Sequence, residues 1–246
     1  MKTLLIDGDI LAYKNAASSE FSMNIYEDVY TLYASVGEAM SKVVDEINDL
    51  KTASTIDNVV VAFSDRKVNF RKGINPQYKA NRSGTRKPLI YYELRDKICA
   101  TYSSVVYPRL EADDAMGILG SMPKSEYVLV SIDKDMRTIP CSLFVDGTFV
   151  DISLAEANRN FLKQTLTGDT TDNYKGCVGI GEVKAAKHLA EFNMVDDFDK
   201  AWERVVELFK AAGQTEEDAI REARMARILR HGEYDVKSGE IKLWKM

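Results

Sequence analysis

The run Val59-Val60-Val61-Ala62-Phe63, followed by Ser64 and Asp65 (VVVAFSD, 59–65), sets the fold class. A short unbroken apolar run of this kind reads as a strand buried on both faces, which is the mark of a parallel sheet. It also ends in a carboxylate, and the same pattern recurs along the chain. Leu4-Leu5-Ile6 ends at Asp7, and Val105-Val106-Tyr107 leads through a turn to Glu111-Ala112-Asp113-Asp114. Tyr127-Val128-Leu129-Val130 runs through Ser131-Ile132 to Asp133, with Asp135 two residues on. Between strands, Val29, Leu32, Val36, Met40, Val43, Ile47 and Leu50 recur at spacings of three and four, which predicts one long amphipathic helix. Strands alternating with helices imply right-handed crossovers and an open α/β sheet, with its ligand crevice at the carboxyl ends of the strands.

Topology therefore gathers Asp7, Asp65, Glu111, Asp113, Asp114, Asp133 and Asp135 on one rim. Taken singly, each is a turn former or helix cap, Asp113 and Asp114 included. Together they repel one another unless something positive lies between them. An all-oxygen donor set suits magnesium or manganese.

The rest of the composition narrows the class. The chain has 246 residues, of which 45% are hydrophobic and 29% charged. That is ordinary globular composition, with no apolar run approaching the ~18 residues of a membrane span. Asp7 and Asp9 interrupt the N-terminal apolar stretch, so it does not read as a secretory signal. Cys99, Cys141 and Cys177 form no close pair, and His188 and His231 have no ligand spacing. Disulfide frameworks, zinc sites and Ser-His-Asp triads are disfavoured. A soluble, reduced, cytoplasmic protein is expected, with no membrane partner.

The net charge of −5 is not that of a bulk nucleic-acid binder. Its distribution says more. Residues 66–88 carry Arg66, Lys67, Arg71, Lys72, Lys79, Arg82, Arg86 and Lys87 and no acid. Phe70, Tyr78, Tyr91 and Tyr92 are interleaved, a mixture suited to gripping single strands. After residue 152 the strand pattern stops, and Leu154, Ala157, Phe161 and Leu162 open a helix. A loop over 168–181 brings Asp169 and Asp172 together with Gly176, Gly179 and Gly181. It leads into a helix over 182–191, and such a glycine-rich turn is a backbone-amide site for a phosphate diester. Further helices carry Phe198, Trp202, Val205, Phe209, Ile220, Ile228 and Leu229, and residues 236–244 suggest a terminal hairpin.

These motifs resemble the flap endonuclease and 5′-nuclease family, which includes the 5′-nuclease domain of bacterial DNA polymerase I and small bacteriophage 5′–3′ exonucleases. The matching pieces occur in family order: LLIDGDILAY (4–13), FSD (63–65), FR…YKANR (70–82), LEADDA (110–115), SIDKD (131–135) and GDTTDNYKGCVGIGEVKAAKHL (168–189). The resemblance implies a PIN-like (Rossmann-like) parallel sheet with helices on both faces over 1–152. It further implies a small helical arch at about 66–92, and a helical region over 153–246 with a helix–three-turn–helix motif at 168–190. Carried over, Asp7, Asp65, Glu111 and Asp113 hold one divalent cation and Asp133, Asp135, Asp169 and Asp172 a second, with Asp114 between them. Mg2+ is the expected ion, Mn2+ a substitute. Asp9 stands where many relatives have a neutral residue and lies outside this set.

Lys79 and Arg82 match the catalytic basic pair at the arch base. Arg71, Lys72, Tyr78, Arg86, Lys87, Gly176, Gly179, Gly181 and Lys184 fall to DNA binding, and the hairpin carbonyls to a monovalent cation such as K+. The implied activity is metal-dependent 5′–3′ exonuclease or flap endonuclease hydrolysis near DNA 5′ ends in the host cytoplasm. RNA–DNA hybrids and replication-fork proteins are further implied partners. The alternatives are a PIN-type ribonuclease, which has no need of the 168–189 motif, and a catalytically silent binder of branched DNA.

Overall fold

A computed structural model describes residues 1–246. Its centre is β1 (Thr3–Asp7), whose Leu4, Leu5 and Ile6 are buried. Burying each such side chain contributes roughly 1.5–3 kcal/mol, so the central strand anchors the sheet. Parallel strands flank it: β4 (Asn58–Ala62) on one side and β6 (Tyr127–Val130) on the other. The sheet has six strands in the order β5-β4-β1-β6-β7-β8, where β5 is Ser104–Val105, β7 Ser142–Val145 and β8 Thr148–Asp151. All neighbours run parallel except β8, which pairs antiparallel with β7. The chain leaves β1 towards β4 and β5 and returns on the far side at β6, so the strand order reverses around β1. Crevices form at such a reversal.

Helices cover both faces. On one, α1 (Gly8–Ser18), α2 (Val36–Ser54) and α4 (Tyr91–Thr101) bury Leu11, Ala16, Val43, Ile47, Leu94 and Ile98 against Leu4, Ile6 and Val61. On the other, α5 (Ala112–Gly120) and the start of α6 (Leu154–Thr167) bury Ala115, Met116 and Ala157 against Leu5, Ala62 and Leu129. The remaining helices are α7 (Glu182–Leu189), α8 (Phe198–Ala211) and α9 (Glu216–Ala226), which share a second core with α6 around Phe161, Trp202, Val205 and Phe209. Residues 228–230 return to the sheet side, where Ile228 joins the core and Arg230 donates to the Thr138 carbonyl. The terminal turn closes through one antiparallel bridge, Tyr234 to Ile241. No helix is long and apolar enough to cross a membrane.

One expectation is corrected. The helix projected from Val29 begins only at Val36, because residues before it form a hairpin of β2 (Glu20–Tyr26) and β3 (Val29–Ala34). Val29 and Leu32 happen to keep helical spacing with the residues that follow. The alternation of Phe21, Met23 and Ile25, with Glu27 turning at φ 44°, is the local signal for the hairpin. The segment 66–92, where a small helical arch is expected, contains the four-residue α3 (Arg71–Ile74), a 3₁₀ turn at Ala80–Arg82 and the first two residues of α4. It lies on the body because Phe70, Arg71 and Tyr78 are buried there.

A carboxylate cleft and its basic walls

Each strand exit delivers acids to the same place. Asp7 ends β1 and caps α1, its Oδ1 accepting from the Ile10 amide at 3.1 Å and its Oδ2 from the Ser131 hydroxyl at 3.1 Å. Asp65 follows β4 and accepts from the amides of Lys67 and Arg109. Glu111 caps α5, with Asp113 in its first turn. Asp133 follows β6 and caps the 3₁₀ turn that carries Asp135, which accepts from Gln164 at 2.8 Å. Asp169 and Asp172 come from the loop after α6. Asp7, Asp9, Asp65, Glu111, Asp113, Asp133, Asp135, Asp169 and Asp172 all line one cleft of about 820 Å³.

The cleft is less one-signed than the sequence suggests. Eight basic residues line it as well, among them Lys79, Arg82, Arg86, Lys87 and Lys134. Lys79 donates to Glu111 Oε1 at 2.5 Å and lies 3.5 Å from Asp172, whose other oxygen takes Arg82 at 2.7 Å. The Tyr78 hydroxyl lies 2.8 Å from both Glu111 and Asp172 with a single proton to give. Lys79 holds a left-handed backbone (φ 54°), and its amide is bound to the Asp172 carbonyl at 2.9 Å. Such strain costs on the order of 1–3 kcal/mol and concentrates at functional sites.

Titration follows these contacts. Burial, then the charges of Asp9 and Asp133, push Asp7 up to about 6. Burial and Asp133 do the same to Asp135, also to about 6. Asp113 is raised strongly by burial and by Asp7 and Asp133. Glu111 goes the other way: burial would raise it, but Lys79 and Arg71 outweigh burial and hold it at about 2. Asp65 is also lowered, its backbone amide donors overcoming burial.

A divalent cation fits these residues chemically. The donors are all carboxylate oxygens, and Asp7, Asp113 and Asp135 mark where positive charge is lacking. The Lys79 ammonium stands in for a cation between Glu111 and Asp172. Glu111 and Asp172 are occupied by Lys79, Arg82 and the Tyr78 hydroxyl in this arrangement.

Several expected site residues lie elsewhere. Asp114 is fully buried and turned away from the cleft. It takes both Arg71 terminal nitrogens at 2.7 Å, the Leu229 amide at 3.1 Å and the Glu111 amide at 3.2 Å. Its oxygens are thus fully engaged by protein donors, away from the acids that line the cleft. Arg71 is only 3% exposed and also donates to the Arg227 carbonyl, which removes it from DNA binding. Tyr78, likewise 3% exposed, offers no face for stacking. Lys72 is exposed but outside the cleft lining. Arg86 and Lys87 do face it: Arg86 pairs with Glu20, and Lys87 sits over the Tyr91 ring at 4.1 Å.

In the 168–190 motif the glycines divide. The Gly176 amide donates to Glu222 and its carbonyl accepts from Gln214. A Cβ there would sit 2.3 Å from the Gly168 nitrogen, so Gly176 is structural rather than a phosphate contact. Gly179 (φ 77°) and Gly181 face open space. Lys184 folds its ammonium onto the Gly179 carbonyl at 2.9 Å. The Gly176 carbonyl thus holds Gln214 and the Gly179 carbonyl holds Lys184, each through one of its two lone pairs. Sequence reasoning missed Ser64, Ser131 and Arg95, which tie the strand exits together. A serine directly after or within reach of each apolar run, in FSD and SID, is the signal available for two of them.

Comparison with known proteins identifies the family. Residues 2–147 match the family model described as 5′–3′ exonuclease, N-terminal resolvase-like domain. The chain is 30% identical to an exonuclease of Escherichia phage T7, over 98% of this chain and 93% of that protein. It is 30% identical to an exodeoxyribonuclease of Enterobacteria phage T3, over 98% and 92% of the two. The fold is similar to that of a phage T5 5′-exonuclease solved with divalent zinc ions bound, with a TM-score of 0.62 and 20% identity over 92% of this chain and 89% of that one. With a family model spanning more than half its length and two relatives matched almost end to end, the chain belongs to the 5′–3′ exonuclease family.

Proposed function

We propose that the chain hydrolyses phosphodiester bonds near the 5′ ends of duplex or branched DNA with two divalent cations, Mg2+ or in its place Mn2+. The 5′–3′ nuclease class comes with the family. The ligand assignment is carried by one observation: acids from the exits of β1, β4 and β6, the cap of α5 and the loop after α6 line a single cleft. Asp7, Asp65, Glu111 and Asp113 form one set, and Asp133, Asp135, Asp169 and Asp172 the other. Asp114 has no place in either.

Divalent cations bound by these two sets would supply activation of a water as nucleophile and charge stabilisation for the departing 3′-oxygen. The protein's own groups do the rest. Lys79 and Arg82, on leaving Glu111 and Asp172, neutralise charge that grows on the scissile phosphate. Arg86 and Lys87 meet the entering single strand, and the backbone at Gly179 and Gly181 meets duplex phosphates. The products carry 5′-phosphates. The same contacts accept the RNA strand of an RNA–DNA hybrid, and the phage relatives support action in the host cytoplasm beside replication-fork proteins.

Product analysis with magnesium tests this on 5′-labelled blunt duplex, gapped duplex and flap substrates. Mononucleotides from duplex mark exonuclease action and whole flaps endonuclease action. No magnesium-dependent cleavage of any of the three overturns the proposal.

A further inference from the structure

Asp9 lies in the first turn of α1 and lines the cleft, yet its oxygens are occupied by the protein itself. Its Oδ2 accepts from both the amide and the hydroxyl of Ser64, and its Oδ1 accepts from the Tyr91 hydroxyl at 2.9 Å. The Ser64 Oγ in turn accepts from the Ala112 amide at 2.9 Å. The Ser64 carbonyl accepts from Arg95 at 2.6 Å. Three elements thus meet at one hydroxyl, α1, the exit of β4 and the start of α5, and α4 joins them through Tyr91 on Asp9 and Arg95 on the Ser64 carbonyl.

The positions that meet there matter. Ser64 directly precedes Asp65, and Ala112 lies between Glu111 and Asp113. A single hydrogen-bonded relay therefore sets the separation of Asp65 from the Glu111–Asp113 pair. A carboxylate suits the centre of it. Three donors point at Asp9, and an amide that kept its oxygen on the Ser64 amide would present its NH2 to the Tyr91 hydroxyl, which would then have to accept instead of donate. Of a carboxylate's roughly four lone-pair sites, three are engaged by the protein, which holds the group in place and leaves at most one open. On the other side of β1, Ser131 makes a similar tie, donating to Asp7 and accepting from the Asp133 amide, both at 3.1 Å.

We propose that Asp9, Ser64 and Tyr91 are positioning residues that fix the carboxylate geometry for cleavage, and that Asp9 is not a metal ligand. This rests on the 5′-nuclease reading above. The test uses the full chain with Asp9→Asn, Ser64→Ala, Tyr91→Phe and the Asp9→Asn/Ser64→Ala double variant. Four quantities are read: kcat and KM on a flap substrate, DNA affinity in calcium, bound Mn2+ counted by electron paramagnetic resonance, and melting temperature.

Loss of a group that orients ligands costs about 10–100-fold, and we expect that fall in kcat for Asp9→Asn and Ser64→Ala. KM, calcium-dependent affinity and the Mn2+ count stay at wild-type values. The double variant is no slower than Asp9→Asn alone, because both break one relay. Tyr91→Phe removes a single hydroxyl, leaves the ring in place and lowers kcat several-fold. Loss of a bound Mn2+ in Asp9→Asn but not in Ser64→Ala would make Asp9 a ligand and overturn the proposal. So would multiplicative losses in the double variant, or wild-type kcat in folded Ser64→Ala and Tyr91→Phe. Normal cleavage by the wild-type chain in the same assay keeps these failures distinct from failure of the nuclease reading itself.

Discussion

Arg71 and Asp114 form a two-pronged ion pair, with both contacts at 2.7 Å, in a part of the protein where neither side chain reaches solvent. The pair joins α3 to α5, and through the Met225, Arg227 and Leu229 backbone it joins both to the end of α9 and the segment after it. Removing one partner strands the other charge in the interior at a cost of about 3–5 kcal/mol. Arg71→Met and Asp114→Asn should each show that loss in urea unfolding. At temperatures where the variants remain folded, DNA affinity should be unchanged. A weakened affinity without lost stability would return Arg71 to the DNA surface.

Lys79→Ala removes the ammonium that bridges Glu111 and Asp172. Turnover on a flap substrate should fall by on the order of 10²–10³, the usual cost of one transition-state donor. DNA binding in calcium should fall far less, since Arg82, Arg86 and Lys87 remain along the cleft. Glu111, held at about 2 by Lys79 and Arg71, should titrate higher in the variant. Wild-type turnover by the alanine variant refutes the role.

The strand exits were legible in the sequence because doubly buried parallel strands are continuous apolar runs. The acids at their ends are where the structure puts them, at the cleft. Orientation within the basic run was not legible. Nothing in the composition of 66–88 distinguishes Arg71, packed between the Phe70 and Tyr78 rings, from exposed Arg86. For Asp114 a signal was present. Glu111 at the N-cap and Asp114 three residues later form a reciprocal capping box, the plain cap reading of an acid at that position. The metal-site reading grouped it with its neighbours by sequence, while the helix turned it inward. The hairpin of β2 and β3 was hidden because Val29 and Leu32 fall in step with the helix that follows.

Two glycines of one motif should behave differently. Gly176→Ala places a methyl 2.3 Å from the Gly168 nitrogen and 2.5 Å from the Leu166 carbonyl oxygen, both backbone atoms that cannot yield. The variant should lose stability and bind all substrates poorly. Gly179→Val meets nothing within 4 Å and bears only the left-handed penalty of roughly 1–2 kcal/mol. Its stability should fall by about that amount and less than in Gly176→Ala, while binding to duplex-containing DNA weakens more than binding to a purely single-stranded 5′ end. Calorimetry beside anisotropy titrations on both DNAs separates the cases. Equal losses on both DNAs by the valine variant would make Gly179 structural as well.

Asp133 raises three neighbours at once: Asp7, Asp113 and Asp135. In metal-free protein these acids titrate above their unfolded values, so the folded state favours their protonated forms. Stability in EDTA should therefore be greatest when they are protonated and fall as the pH rises through about 6, where Asp7 and Asp135 ionise. Glu111 and Asp65 have the opposite sign, but their contribution is lost only in stronger acid. Asp133→Asn with Asp135→Asn removes two of the charges and keeps an oxygen for the Asp135 amide and for Gln164. The double variant should melt higher than wild type in EDTA at pH 7–8 and show a flatter pH dependence. It should also bind DNA more tightly in EDTA at low salt, since less negative charge faces the phosphates. Cleavage should be abolished, and calcium should improve binding less than in wild type. Weaker metal-free binding by a folded double variant would mean that Asp133 and Asp135 do not face the DNA, and the two-cation assignment would fall with it.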